Sequence, residues 1–246
     1  MKRSTTVRLW AALGLALVLP PRGWAQDYTV RAVSDGGGIA GSVMYAGEAV
    51  ERSPVNVTTD QEVCGQTPQL SAELIVDPTS HSIQNVVVSI KDISGGKDWS
   101  LPEDGLTFDQ HGCLFNPHVL VVPARQSFNI LNSDGILHNV HTHGRNNRPV
   151  NKAQPKFLTT LPMKLNEAEF VRVTCNVHSW MEGWIVVAEH PYYAVSDENG
   201  SFQIDNVPPG DYTLEFWHEK LGVQSQSITI TAAETARIDV TFSANE

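Results

Sequence analysis

Three residues on one short stretch carry side chains that bind soft metal ions. Cys175, His178 and Met181 follow one another with the spacing Cys-x2-His-x2-Met and supply a thiolate, an imidazole and a thioether. Thiolate and thioether suit Cu(I), whereas imidazole suits both oxidation states of copper. Zinc fits less well, because structural zinc sites are usually closed Cys/His tetrahedra in which a methionine adds little. The spacing therefore predicts one copper ion held largely by one loop.

A second imidazole is expected from a segment further upstream. His138 lies in the run 132–141, and we predict it as the remaining ligand, on a strand separate from the loop. A ligand on another strand ties the loop to a rigid sheet, so the geometry changes little between oxidation states. Small rearrangement allows fast electron transfer, which makes a one-electron carrier the leading functional hypothesis.

The cysteine count is consistent with a free thiol in the loop. The chain has 3 cysteines, and in an oxidising compartment one of them stays unpaired under any scheme. We predict a disulfide between Cys64 and Cys113, which leaves Cys175 free. The alternative is that Cys175 is a buried thiol without a role, since free cysteine is among the most buried residue types.

Short strands position these residues. The segment 170–175 alternates apolar and polar residues, so Val171, Val173 and Cys175 share one strand face and the thiol points inward. A strand over 184–188 leaves the loop, and 119–122 and 128–131 read as two paired strands. Short β-runs with Gly, Pro and Asp between them, and no sustained helical periodicity, predict an all-β fold with sandwich or barrel architecture.

The first residues have the pattern of a secretory signal peptide. Basic residues Lys2, Arg3 and Arg8 precede an apolar run over 9–19, and small residues follow at 23–25. The run is too short to span a bilayer, and no later segment approaches the roughly 20 apolar residues that a spanning helix needs. We therefore expect 1–25 to be a signal peptide and the remainder to be an exported, periplasmic protein without a membrane span.

Charge narrows the choice of partners. The chain has 17 basic and 27 acidic residues; residues 1–25 hold four basic and no acidic ones, which leaves a net charge of −14 after residue 25. This charge balance argues against nucleic-acid binding, because phosphate neutralisation needs clustered Lys and Arg. The segment 144–165 is basic and expected to be irregular. It is either a solvated loop or a docking patch beside the metal.

Around the proposed ligands the sequence resembles the cupredoxins, in particular the plastocyanin and amicyanin group. The resemblance covers about 112–189 and rests on the run 138–141, His-Asn-Val-His, together with the Cys-x2-His-x2-Met loop. It implies a Greek-key β-sandwich with imidazole ligands His138 and His178, thiolate ligand Cys175 and axial ligand Met181. It also implies that Asn139 hydrogen-bonds across to the strand of the cysteine.

The same resemblance implies a function. Cupredoxins of this group are electron carriers, so the partner would be a redox protein such as a c-type cytochrome or a periplasmic dehydrogenase. The edge of His178 would face solvent and exchange electrons. One departure is Arg125, at a turn where the family commonly has glycine, which affects the expected turn conformation and not the ligands.

The C-terminal segment resembles carboxypeptidase regulatory-like, transthyretin-like β-sandwich domains, through Asp197-x2-Gly200-x-Phe202 and the run 207–212. The expected divisions are a β region over 26–110, a cupredoxin domain over 111–190 and this segment over 191–246. The last is too short to be a sandwich alone. Strands from 37–95 are expected to complete it, which makes the cupredoxin segment an insertion in a second small sandwich.

Other hypotheses remain from the residues alone. No nucleophile or general acid stands out near the loop, so we do not expect an enzyme. The same ligands suit copper storage or delivery, and the chain could instead be a β-sandwich that binds carbohydrate or protein. A second metal at His141, His143, His118 or His218 is a minor alternative to exposed or hydrogen-bonded histidines. The sequence carries no prediction of oligomeric state.

Overall fold

A computed structural model of the chain describes residues 28–48 and 50–244. The expected signal peptide, 1–25, lies outside the described residues. Strands make up nearly all of the regular structure, so the prediction of an all-β fold is confirmed. Within the described part, the α-helical structure is a single turn, α1 (Gln61–Cys64). No helix in that part is long and apolar enough to cross a membrane.

The strands follow one another closely along the chain. In chain order they are β1 (Thr29–Val30), β2 (Gly37–Ala46), β3 (Val87–Lys91), β4 (Gly95–Gly96), β5 (Thr107–His111), β6 (Leu114–Asn116), β7 (Val119–Pro123), β8 (Ser127–Asn132), β9 (His138–His143), β10 (Asn151–Gln154), β11 (Thr160–Lys164), β12 (Glu169–Thr174), β13 (Glu182–Ala188), β14 (Tyr193–Val195), β15 (Ser201–Val207), β16 (Gly210–His218), β17 (Gly222–Ile230), β18 (Thr235–Arg237) and β19 (Val240–Ser243).

The middle of the chain forms the first sandwich. One sheet has the order β10-β9-β12-β13-β7 and the other the order β11-β8-β5-β6. The chain passes repeatedly between the two sheets, as in Greek-key sandwiches. Alternate residues point inward, so Val171 and Val173 of β12 are fully buried and pack with Phe108 and Ile130 of the facing sheet.

The two ends of the chain form the second sandwich together. One sheet has the order β14-β3-β16-β17, and in the other β2 pairs with β15, β18 and β19. Its core combines residues from both ends, including Ile39, Ile90, Phe202 and Phe216. The first sandwich is therefore inserted in sequence between the strands of the second.

Aromatic and branched side chains join the sandwiches. Val87 of β3 packs with Val119 and Val186 of the five-stranded sheet. The ring of Trp217 lies 4.9 Å from that of Trp184 and 4.5 Å from that of Phe170. The outer face of the strands that flank the ligand loop is thus covered by the second sandwich.

Several local predictions differ from the structure. The runs 55–57 and 73–76, which the sequence also suggests as short strands, form no strand; isolated bridges join Pro54 to Leu70 and Val76 to Ile83. The segment 144–165 is not irregular, since it contains the whole of β10 and β11. The first sandwich also includes β5, which begins at Thr107, four residues before the expected boundary at 111.

Candidate metal centre

The ligand loop is a tight connection between two central strands. β12 ends at Thr174, and Cys175 continues its alternation inward, with 2% of its surface exposed. The backbone N–H of Cys175 donates to the carbonyl of Met181 at 3.2 Å, and the N–H of Met181 donates to the carbonyl of His178 at 2.9 Å. These two hydrogen bonds close the loop at its base, so its side chains are held relative to the sheet.

Strand pairing brings His138 to the loop. β9 pairs with β12 through Thr174 opposite His141, so the start of β9 lies beside Cys175. The Sγ atom of Cys175 lies 4.0 Å from Nδ1 of His138 and 3.7 Å from Nδ1 of His178. The two Nδ1 atoms lie 2.9 Å apart. All three residues are buried, and their donor atoms fall within 4.8 Å of one another.

These distances fit a metal ion between the three atoms. With metal–nitrogen and metal–thiolate bonds of about 2.0 and about 2.3 Å, a trigonal centre separates sulfur and nitrogen by about 3.7 Å. The observed sulfur–nitrogen distances lie within 0.3 Å of that value. Such a centre separates the two nitrogens by about 3.5 Å, so the observed 2.9 Å is too short by more than half an ångström, and the rings would have to move apart to admit an ion.

Both imidazoles have a carboxylate on the nitrogen that faces away from the cluster. Nε2 of His138 lies 2.9 Å from Oδ2 of Asp134, and Nε2 of His178 lies 2.9 Å from Oδ2 of Asp60. An ionised carboxylate accepts hydrogen bonds and has no hydrogen to donate. Each neutral imidazole therefore carries its hydrogen on Nε2 and presents the lone pair of Nδ1 to the cluster.

The cluster consequently attracts a cation. When both imidazoles are neutral, two Nδ1 lone pairs and a sulfur face one another, and a proton or a metal ion bound among these atoms relieves their repulsion. Burial lowers the pKa of His138, but hydrogen bonds to Asp134 and Cys175 outweigh it and raise the pKa to about 9. Burial raises the pKa of Cys175, and hydrogen bonds from His138 and the backbone of Asn139 outweigh it and lower the pKa to about 6.

Asn139 links the strand of His138 to the loop. Its backbone N–H points at Sγ of Cys175 at 3.4 Å, and its side-chain oxygen accepts a hydrogen bond from the N–H of Asn176. The amide nitrogen donates to Asn151 of β10. The cross-strand hydrogen bond expected for this residue is present in the structure, and it holds the cysteine strand and β9 in register.

Met181 is fully buried in the same apolar cluster as Cys175. Its backbone closes the loop, and its side chain is excluded from solvent. Its role as the axial ligand stays a prediction. The second group of donor atoms in the described residues contains Cys113, Asp134 and His138, but Cys113 is in a disulfide and offers no thiolate.

The expectation that His178 faces solvent is wrong. Its side chain is fully buried, because the segment before α1 covers its edge. Asp60 stands at the N-terminal end of α1 yet makes no side-chain capping bond to that helix. Its carboxylate reaches His178 instead, across 118 positions of sequence.

The Cys64–Cys113 disulfide links the segment that carries Asp60 to the backbone that holds Asp134. Cys64 and Cys113 are joined, and the N–H of Cys64 donates to the carbonyl of Asp60 at 2.8 Å. On the other side, Asp134 accepts hydrogen bonds from the backbone N–H groups of Cys113 at 2.8 Å and Gly112 at 2.6 Å. Both imidazoles are thus held from outside by one continuous set of bonds that includes the disulfide.

Sequence reasoning missed Asp60 and Asp134. Asp134 lies four residues before His138 in the turn between β8 and β9, where an aspartate also suits turn geometry. The predicted Cys64–Cys113 pairing could have indicated that residues near Cys64 reach the site, but nothing in the spacing selects Asp60.

The other histidines have different surroundings. His141 and His143 lie on the opposite face of β9, with ring centroids 4.2 Å apart, and bond to Asn176 and Thr174. His118 bonds to Glu219 at the contact between the sandwiches. None of these histidines belongs to a group of three potential metal ligands within the described residues.

Comparison with known proteins gives one family and several structures. The family model of the carboxypeptidase regulatory-like domain matches residues 177–243. This is roughly a quarter of the chain; it begins in the ligand loop, before the expected boundary at 191, and runs through the C-terminal strands. Comparison with curated proteins gives no match.

The similar solved structures include copper proteins. A copper-containing nitrite reductase from Thermus scotoductus SA-01 is 20% identical, with 37% of this chain and 23% of that chain covered and a TM-score of 0.31. The reduced form of an amicyanin variant is 18% identical, with 36% and 87% covered and a TM-score of 0.32. The Cu(I) form of another amicyanin variant is 16% identical, with 41% and 98% covered and a TM-score of 0.32.

The chain thus spans less than a quarter of the nitrite reductase chain that it matches. Scores of this size do not establish a shared fold, so the interpretation of the metal centre rests on its own geometry.

Proposed function

We propose that this protein is an exported type 1 copper protein that passes single electrons between redox proteins. The observation that carries the proposal is the convergence of His138 Nδ1, His178 Nδ1 and Cys175 Sγ in one buried cluster. A thiolate and two imidazoles, with a buried methionine on the same loop, form the donor set of blue-copper sites.

The residues have separate tasks in this proposal. His138, His178 and Cys175 would hold the ion, and Met181 would supply a fourth, weaker ligand. Copper supplies a one-electron couple when bound. The chain's own contribution is to fix the donors: the loop is closed by backbone hydrogen bonds, and Asn139 holds Cys175 beside β9. Donors fixed in this way move little between oxidation states.

In this proposal the protein is an electron carrier and not an enzyme. With four protein ligands an ion would have no open position for a substrate, whereas catalytic metal sites keep one. Export follows from the pattern of the signal peptide, and a redox protein such as a c-type cytochrome or a periplasmic dehydrogenase is the proposed partner.

The decisive test is the visible spectrum of the oxidised, copper-loaded protein. A Cu(II)–thiolate bond gives an intense visible absorption, and Cys175→Ala should abolish it. Ser179→Ala, an exposed change in the same loop, should leave the colour intact. A purified, copper-loaded and oxidised protein that stays colourless would refute the proposal.

A reversible reduction potential separates this function from the other hypotheses. Copper storage or delivery would use the same ligands to hold Cu(I) without cycling, and rapid electron exchange with a cytochrome argues against it. A carbohydrate-binding module would bind glycans equally well after copper removal. Voltammetry of the wild-type protein and glycan binding of the copper-free protein distinguish the three.

A further inference from the structure

The edge of His178 is closed to a partner protein. The carboxylate of Asp60 lies on its outer nitrogen, and the imidazole is fully buried. The segment that carries Asp60 is tied to the first sandwich by the Cys64–Cys113 disulfide. A partner cannot touch this imidazole unless Asp60 moves, so electrons need another short route between copper and the surface.

The other imidazole ligand lies beside an exposed apolar surface. Leu137 directly precedes His138 and is 47% exposed, and Phe157 is 84% exposed. Gln154 of β10 pairs with His138, so the turn that carries Phe157 starts next to this ligand. The side chain of Asn132 donates to the carbonyls of Ile136 at 2.8 Å and Gln154 at 2.9 Å, which holds the two turns side by side.

Basic side chains continue this surface along the edge of the sandwich. Arg148, Lys152, Lys156 and Lys164 are all exposed, and none of them takes part in an ion pair among the described residues. The sequence has no acidic residue over 135–166. Three of the four basic residues line a cleft of about 390 Å³ that contacts β10 and β11.

We propose that the redox partner docks on this surface and is an acidic protein with an apolar contact patch. The docking surface, called the β10 surface, consists of Leu137, Arg148, Lys152, Lys156, Phe157 and Lys164. Electrons then pass on the side of His138 and not through the edge of His178. This inference rests on the proposed electron-transfer function.

Charge complementarity favours an acidic redox partner on the β10 surface. The chain is acidic overall, with a formal net charge of −10, so a basic partner would be attracted to most of its surface and would not be guided to the copper. An acidic partner is repelled elsewhere and attracted to the β10 surface. The end of this surface that carries Lys156 and Phe157 lies nearest His138, whereas Arg148 and Lys164 extend it toward the other end of the sandwich. Such local fields steer association more than net charge does, and salt screens them.

The test compares two partners that differ in charge. A basic c-type cytochrome and its succinylated, acidic derivative are each mixed in the oxidised form with the reduced, copper-loaded protein. One electron passes from the copper protein to the haem iron, and stopped-flow absorbance gives the rate. The acidic derivative should react at least about threefold faster at low ionic strength, and added salt should remove the difference.

Matched variants locate the surface. Lys152→Gln and Lys156→Gln should each lower the rate with the acidic cytochrome about twofold to fivefold at low ionic strength. Arg237→Gln removes an exposed charge from the second sandwich and should not. Phe157→Ser should slow the reaction at every salt concentration, whereas Val223→Ser, an exposed apolar change on β17, should leave it unchanged.

Three outcomes would overturn the inference. The first is a faster reaction with the basic cytochrome that the Lys152 and Lys156 variants do not alter. The second is a large acceleration in Asp60→Ala, which would place the route at His178. The third is saturable binding of the β10 surface to phosphatidylglycerol vesicles in place of the cytochrome, which would make it a lipid-binding surface. A colourless protein, by contrast, refutes the proposed function itself.

Discussion

Replacing Asp60 by Asn should raise the reduction potential of the copper-loaded protein. The carboxylate stabilises positive charge at the metal through the imidazole of His178, and it stabilises Cu(II) more than Cu(I) because Cu(II) carries one charge more. Loss of the negative charge therefore favours the reduced state. Asn keeps the shape of the side chain, and its amide oxygen can still accept the hydrogen bond from Nε2.

The size of the shift follows from the geometry. The carboxylate oxygen lies 2.9 Å from Nε2 of His178, and an ion on Nδ1 lies about 4 Å beyond that atom. Two unit charges about 6.5 Å apart interact by about 2.5 kcal/mol at an effective dielectric constant of about 20. The side chain of Asp60 is 32% exposed, so solvent reduces this to about 1 to 2.5 kcal/mol. That energy corresponds to a rise of about 50 to 100 mV for one electron.

Protein-film voltammetry measures the potential directly. Glu62→Gln is the matched control, because it removes an exposed carboxylate from the same short helix without contacting His178. Its potential should lie within about 15 mV of the wild type, as expected for an exposed charge screened by water and salt.

A potential that stays constant or falls in Asp60→Asn, with the visible band intact, would refute the reasoning. It would mean that the carboxylate does not act on the metal through His178. If the reduction potential rose equally in Glu62→Gln, the effect would come from the summed negative charge of the segment around α1 and not from the contact between Asp60 and His178.

Three further predictions concern stability. Removing the disulfide in the double variant Cys64→Ala/Cys113→Ala should lower the free energy of unfolding by up to about 4 kcal/mol, since the bond closes a loop of 49 residues; urea unfolding of the copper-free protein checks this, and an unchanged midpoint would contradict it. Burial and neighbouring positive charge lower the pKa of His218 to about 4 in the folded protein. As the pH falls below the usual value of 6.5, the histidine is therefore protonated in the unfolded state before it is protonated in the folded state. The free energy of unfolding should drop by about 2 to 3 kcal/mol between pH 6.5 and 4. In His218→Gln this part of the loss should be absent at matched pH, whereas the exposed control His111→Gln should keep it. Arg125 has a φ of 67°, a conformation that favours glycine, so Arg125→Gly should stabilise the fold by up to about 1 kcal/mol by thermal unfolding, and a lower melting temperature would count against this.

The features predictable from sequence were those fixed by local rules. Strand alternation placed Cys175 inward, and the odd number of cysteines left it free; the structure has the Cys64–Cys113 disulfide. His138 could be proposed because loop ligands need a partner on another strand. Strand periodicity also gave the all-β class, and the short C-terminal segment indicated that a second sandwich needs strands from both ends of the chain.

The features that escaped prediction depend on how distant segments meet. Asp60 reaches His178 from a segment without regular strands, and a lone aspartate carries no periodicity that marks its position. The burial of His178 follows from that contact, so the family resemblance gave the wrong expectation for its edge. The β-branched residues Val55 and Val57 favour a strand, but the segment forms none in the structure, because a strand also needs a partner to pair with.

The second sandwich supports the strands on both sides of the ligand loop. Its aromatic contacts cover the outer face of β12 and β13, the strands that hold both ends of the ligand loop. Glu219 adds hydrogen bonds to the first sandwich. Its carboxylate accepts a hydrogen bond from the indole N–H of Trp184 at 2.8 Å and bonds to His118. The loop is therefore supported from behind by the second sandwich and from the front by Asp60 and its disulfide. With support on both sides, the donor atoms of the proposed copper site would keep their positions when the charge on the ion changes, and the proposed electron exchange would be directed to the β10 surface.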